Sequence, residues 1–157
     1  LAKRVGTDGS VTGIDISPGM QSVAHEKVNE SGTQAKVQLD VGSALALPYP
    51  DDTFDAVYTS FTLELFPAED IPKVLAEARR VLKPDGRLGV VSMATVTEGK
   101  HDSVLEGVYK WSHHHFPHIV DCRPINLEKF VTDAGFEMIH DQRIEIWTMP
   151  VAVVVAK

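Results

Sequence analysis

Short β-branched runs alternate along this chain with longer apolar stripes of helical period. Residues 11–16 (VTGIDI) form a strand-length apolar run, and Ser17 followed by Pro18 supplies a helix N-cap and a first-turn proline. The helix that follows is predicted to bury Met20, Val23, Ala24 and Val28, which recur at helical spacing, and to stop at Gly32. Residues 36–40 read as a second strand, residues 47–55 (LPYPDDTFD) as a turn-rich stretch and residues 56–61 as a third strand. Ile71, Val74, Leu75, Ala78, Val81 and Leu82 make an amphipathic stripe that the KPDG of residues 83–86 should end, with a strand over 87–93. Two more stripes follow, one from Val104, Leu105, Val108 and Trp111, the other from Leu127, Phe130, Val131 and Ala134, closed by Gly135. The C-terminus holds two apolar strands separated by Thr148, Met149 and Pro150, the pattern of an antiparallel hairpin. Strands alternating with helices imply βαβ units, so the expected fold class is α/β with a mostly parallel sheet and a reversed final strand.

Composition narrows the function more than the fold. The 157 residues, 43% of them hydrophobic, suit a single domain over residues 1–157 with one core. Fifteen Lys and Arg against 22 Asp and Glu give a formal charge of -7, which argues against nucleic acid as a partner, since such binding rests on clustered cations. Cys122 is the only cysteine, so no disulfide can form within the chain. No run is long and apolar enough for a membrane span, and PVAVVVA at residues 150–156 reads as a buried strand. These features suggest a cytoplasmic protein. The opening LAKRV reads as the tail of a helix capped by Gly6, which suggests that the domain is incomplete at its N-terminus.

Three stretches in order carry a family resemblance: GIDISPGM from Gly13, GSALALPYPDDTFDAVYTSFTLELF from Gly42, and EARRVLKPDGRLGVVSM from Glu77. With these motifs the chain resembles the class I S-adenosylmethionine-dependent methyltransferases of the small-molecule kind, close to the quinone-biosynthesis branch. The ending LEKFVTDAGFEMI is similar to that family's last helix and the start of its hairpin. The resemblance implies a Rossmann-like, doubly wound sheet with an antiparallel C-terminal strand. It also implies that the family's first strand and the Gly-rich loop after it are absent from this chain.

What the resemblance implies for the site can be stated residue by residue. Asp15 matches the acid that grips the ribose hydroxyls of S-adenosylmethionine; a carboxylate suits that task because it accepts bonds from two neighbouring hydroxyls. The plainer alternative is an acid placed at a helix N-terminus to favour its dipole, and a nicotinamide cofactor would use an acid in the same position. Ile16 and Met20 are expected to flank the adenine. Gly42, Ser43 and Ala44 align with a segment that usually reads Gly, Asp, Ala, so a hydroxyl stands where the family has an acid; Asp40 is a possible substitute. Ser60, with Thr59 and Phe61, falls where the fourth family strand opens toward the cofactor and the acceptor. Glu64 is a candidate to bind or deprotonate the acceptor, with a helix-start acid as the alternative.

Residues 99–125 match the region where the family builds an acceptor lid. His113, His114, His115, His118 and Cys122 invite a zinc reading, but consecutive helical positions point roughly 100° apart, so no metal is expected. His114 remains a candidate general base. The expected function is methyl transfer to a small-molecule or lipid-like acceptor, with a homodimer as a further possibility. The alternatives are a non-catalytic binding or oligomerisation module and a nicotinamide-dependent oxidoreductase.

Overall fold

A computed structural model describes residues 1–33, 35–94, 124–146 and 149–157. The elements are α1 (Ala2–Val5), β1 (Ser10–Asp15), α2 (Pro18–Ser31), β2 (Lys36–Val41), β3 (Phe54–Ser60), a 3-10 turn (Leu63–Leu65), α3 (Ile71–Val81), β4 (Leu82–Met93), α4 (Leu127–Asp133), β5 (Met138–Ile146) and β6 (Met149–Ala156). They fall into two compact units, Leu1–Pro48 and Tyr49–Lys157. The stripe expected at Val104–Trp111 lies outside the described residues.

The first unit is a βαβ arrangement. Strands β1 and β2 pair in parallel, Ser10 opposite Lys36 through Asp15 opposite Val41. Helix α2 starts as its sequence dictates: Ser17 is extended, its Oγ accepts from the Met20 amide at 3.3 Å, and Pro18 occupies the first turn. It ends on Gly32 in the left-handed conformation, φ +60°. Its apolar stripe, however, is not buried as expected. Met20 and Val23 are exposed, and Ala24 and Val28 are only half-buried. The physical reason is area: the unit has two strands, too narrow a platform to cover a helical face. Among its described residues only Ala35 is buried.

The second unit carries the core. Its sheet runs β3-β4-β6-β5, with β3 and β4 parallel and β6 antiparallel to both β4 and β5. The α/β class, the parallel pairs and the reversed C-terminal hairpin are those expected. Ile71, Val74, Leu75, Ala78 and Val81 are all buried on α3, together with Leu88 and Val90 of β4 and Val151 and Val154 of β6. Each such side chain contributes about 1.5–3 kcal/mol relative to remaining in water.

Two boundaries differ from the sequence pattern. Strand β3 runs Phe54–Ser60 rather than 56–61, because Phe61 turns out of the ladder with φ +50°. Helix α3 ends just ahead of KPDG as expected, but β4 starts at Leu82 rather than 87 and takes KPDG inside it: Phe54 pairs with Leu82 and the next pair is Ala56 with Arg87. Residues 83–86 therefore bulge from a continuing strand, which accommodates a proline that cannot donate to a ladder. Gly86 is required there, since a Cβ would meet the Lys83 carbonyl oxygen at 2.9 Å.

Candidate functional site

In the first unit the carboxyl end of β1 delivers Asp15 to the start of α2. Its Oδ1 accepts from the Ser17 amide at 2.8 Å, and the carboxylate makes no further hydrogen bond among the described residues. One carboxylate oxygen thus fixes the strand-to-helix junction while the other is open to solvent, since Asp15 is exposed. An oxygen held this way keeps the side chain pointed while the second remains able to accept from hydroxyls.

Beside it lies a cleft of about 200 Å³ bordered by Gly13, Ile14, Asp15, Met20, Gln21, Ala24, Leu39 and Asp40. Two expected residues, Asp15 and Met20, therefore line one cavity, and so does Asp40. Ile16 does not; it is 75% exposed. Gln21 has no place in the sequence reading, and Ala24 enters it only as part of the stripe expected to be buried on α2. Gln21 Nε2 donates to the Leu39 carbonyl at 2.7 Å and ties α2 to β2 across the cleft. The only sequence signal for it is a polar residue directly beside the apolar stripe.

The segment after β2 is drawn to the same corner. The Gly42 amide donates to the Asp15 carbonyl at 3.0 Å, and a Cβ on Gly42 would lie 2.9 Å from Ile14 Cδ1. Ser43 is half-buried and its Oγ accepts from the Leu45 amide at 3.2 Å, so its hydroxyl shapes the turn as an acceptor and keeps its own hydrogen for a ligand. Ala44 follows, half-buried. Asp40 takes two bonds from Gln38 Nε2, at 3.1 and 2.9 Å.

The second unit holds the remaining expected residues. Ser60 ends β3, and its carbonyl accepts from Thr62 Oγ1 at 3.0 Å. Phe61 next to it is a non-glycine residue in the left-handed region, a conformation that costs about 1–3 kcal/mol. Glu64 is not presented as a solvent-facing base. It is 2% exposed; Oε2 accepts from Ser92 Oγ at 2.9 Å and Oε1 from the Met93 amide at 3.1 Å. Burial of a carboxylate is tolerable because both oxygens are satisfied. His114, the other histidines of the cluster and Cys122 lie outside the described residues, as does nearly all of the expected lid.

A network on α3 ties two of the sequence motifs to each other. The Arg80 guanidinium holds Glu77 through two bonds, at 2.7 and 2.8 Å, and also reaches the Tyr49 carbonyl at 2.7 Å and Asp51 at 2.8 Å. Its hydrogen bonds to Glu77 and then to Asp51 hold its pKa above the ordinary guanidinium range. The arginine of EARRVLKPDG thus anchors the turn LPYPDDTFD ahead of β3.

The chain is 41% identical over 97 residues to a demethylmenaquinone methyltransferase of Lactobacillus johnsonii, covering 62% of this chain and 39% of that protein. It is 41% identical over 93 residues to a 2-phytyl-1,4-naphtoquinone methyltransferase of Synechococcus elongatus, covering 59% of this chain and 39% of that one. The matched part thus spans about two fifths of the length of these relatives. Among solved structures, a SAM-dependent methyltransferase from Aquifex aeolicus superposes with a TM-score of 0.67 and 26% identity over 99% of this chain and 72% of its own. The methyltransferase domain family matches residues 1–86, more than half of the 157 residues, and the chain therefore belongs to that family.

Proposed function

We propose that this chain serves S-adenosylmethionine-dependent methyl transfer to a small, quinone-like acceptor. The observation that carries the reading is Asp15: an exposed carboxylate at a strand-to-helix junction, one oxygen fixed by the Ser17 amide, the other open beside a cleft. That donor set fits a nucleoside ribose, whose paired hydroxyls need an ionised acceptor, and Met20 supplies an apolar wall next to it. Gly42, Ser43 and Ala44 complete the nucleoside side, with Ser60 assigned to the cofactor at the end of β3. The bound sulfonium supplies an electrophilic methyl group. This chain's own residues bind and align the two reactants, and proximity and orientation account for most of the acceleration. The quinone-like acceptor class rests on the names of the two relatives, and residues 99–125 are assigned to the acceptor lid of one domain spanning residues 1–157.

The test is calorimetric titration of S-adenosylhomocysteine into the folded wild type and into Asp15→Asn and Asp15→Ala. Loss of charge-assisted bonds should weaken binding about 10- to 100-fold in both variants, with little change in unfolding midpoint for Asp15→Asn, whose amide oxygen still accepts from Ser17. Undiminished affinity in Asp15→Ala would remove the ribose assignment. Absence of binding to folded wild type would remove the methyl-transfer reading and leave the non-catalytic module and the nicotinamide-dependent oxidoreductase.

A further inference from the structure

Phe61 stands where the chain had cheaper options. It follows the last residue of β3, is 43% exposed and holds φ +50°, so neither core packing nor backbone preference explains an aromatic residue there. Yet the position is fixed from both sides. Its amide donates to the Val91 carbonyl at 2.8 Å, the last rung of the β3–β4 ladder. Just beyond it, Thr62 Oγ1 bonds the Ser60 carbonyl at 3.0 Å and Leu63 is buried at 1% exposure.

The most telling contact is that of Glu64. In a parallel ladder continued by one more pair, the Met93 amide would donate to the Phe61 carbonyl. It donates instead to Glu64 Oε1 at 3.1 Å, and the neighbouring Ser92 hydroxyl donates to Oε2. A buried carboxylate thus takes the acceptor's place in the ladder and frees Phe61 to turn outward at the carboxyl ends of two parallel strands, where open α/β sheets bind ligands.

We propose that Phe61 is a specificity-determining residue that stacks on a flat aromatic acceptor, and that Glu64 is the positioning residue that holds it turned out. An exposed aromatic ring on a braced backbone suits stacking, because the backbone is already fixed and the side chain has only two torsions to order on contact. This inference rests on the methyl-transfer reading above and sharpens its acceptor to planar aromatic rings.

The experiment titrates the full chain, saturated with S-adenosylhomocysteine, with 1-naphthol and with its saturated, non-planar counterpart decahydro-1-naphthol. Wild type and Phe61→Tyr should prefer the flat probe. Phe61→Leu and Phe61→Gly should lose about three- to ten-fold in 1-naphthol affinity, with unchanged decahydro-1-naphthol and S-adenosylhomocysteine affinities. Phe61→Gly should keep or raise the unfolding midpoint, because glycine relieves the positive φ. Glu64→Gln, whose amide can still accept from Met93, should retain the flat preference, and Glu64→Ala should lose it as the Phe61 variants do. Equal 1-naphthol affinity in Phe61→Gly, or a wild type that binds S-adenosylhomocysteine but shows no flat preference, overturns the inference and leaves the methyl-transfer reading standing. A parallel loss of S-adenosylhomocysteine affinity in the Phe61 variants also overturns it, placing the ring on the cofactor. Failure of wild type to bind S-adenosylhomocysteine at all is the separate signature that removes the underlying reading, and this inference with it.

Discussion

Replacing Gly135 by alanine tests how the C-terminal end of α4 is closed. Gly135 sits at φ +83°, where any Cβ is strained, and a Cβ there would collide with the Arg79 guanidinium. Two costs follow. The left-handed backbone costs about 1–2 kcal/mol for a residue with a Cβ. Displacing Arg79 disrupts its 2.9 Å bond to the Ala134 carbonyl and its position 5.5 Å over the Phe136 ring. The ring contact contributes about 0.5–1 kcal/mol and the exposed hydrogen bond a similar amount. The expected destabilisation is therefore about 2–4 kcal/mol, measured as a shift in urea midpoint at constant m-value. In an Arg79→Met background the same substitution should cost only the backbone share, giving a coupling of about 1–2 kcal/mol in the double-mutant cycle. A coupling indistinguishable from zero would refute the claim that Arg79 and Gly135 form one closure.

Arg80→Met should lower the urea midpoint and Arg80→Lys should restore only part of it, because a lysine cannot hold Glu77 through two bonds while reaching Tyr49 and Asp51; equal midpoints for wild type and Arg80→Met would show the turn to be self-supporting. Asp55 gives a pH test. Lys83 lies 2.7 Å from its Oδ1, and that hydrogen bond and then the lysine's charge hold the Asp55 pKa below its ordinary 3.8. A lowered folded pKa means stability that is present above 3.8 and is lost as pH falls through the folded value. The wild-type advantage over Asp55→Asn should therefore be constant above that range and vanish below it; an advantage that persists in strong acid would contradict the pairing.

The hydrophobic pattern was readable where a large surface lay ready to meet it. The α3 stripe from Ile71 to Val81 is buried throughout because it belongs to the unit with the four-stranded sheet. The same kind of stripe on α2 misled: period 3.6 reports which face a helix can bury, not whether enough strand surface exists to cover it. The strand end at Asp15 and the helix cap at Ser17 were legible because capping and strand-end signals are local. Glu64 was legible as a residue but not in its role, since Ser92 and Met93 lie 28 and 29 positions away. Gln21, bonded to Leu39 from 18 positions off, was missed for the same reason. KPDG does follow the end of α3, but the strand expected from 87 already starts at Leu82, because turn chemistry also suits a bulge.

The near absence of buried side chains in Leu1–Pro48 has a thermodynamic consequence. A βαβ unit held mainly by ladder bonds, a capping serine and a glutamine tether has little apolar burial opposing its chain entropy, so it belongs to the low-stability end of the protein's opening reactions. Whatever fills the cleft beside Asp15 then acts as a removable piece of interior. A ligand present at 100 times its dissociation constant contributes about 2.7 kcal/mol to the ordered form. Occupancy and local order in this unit are thus one equilibrium, and slowed amide exchange in β1, α2 and β2 is its direct measure.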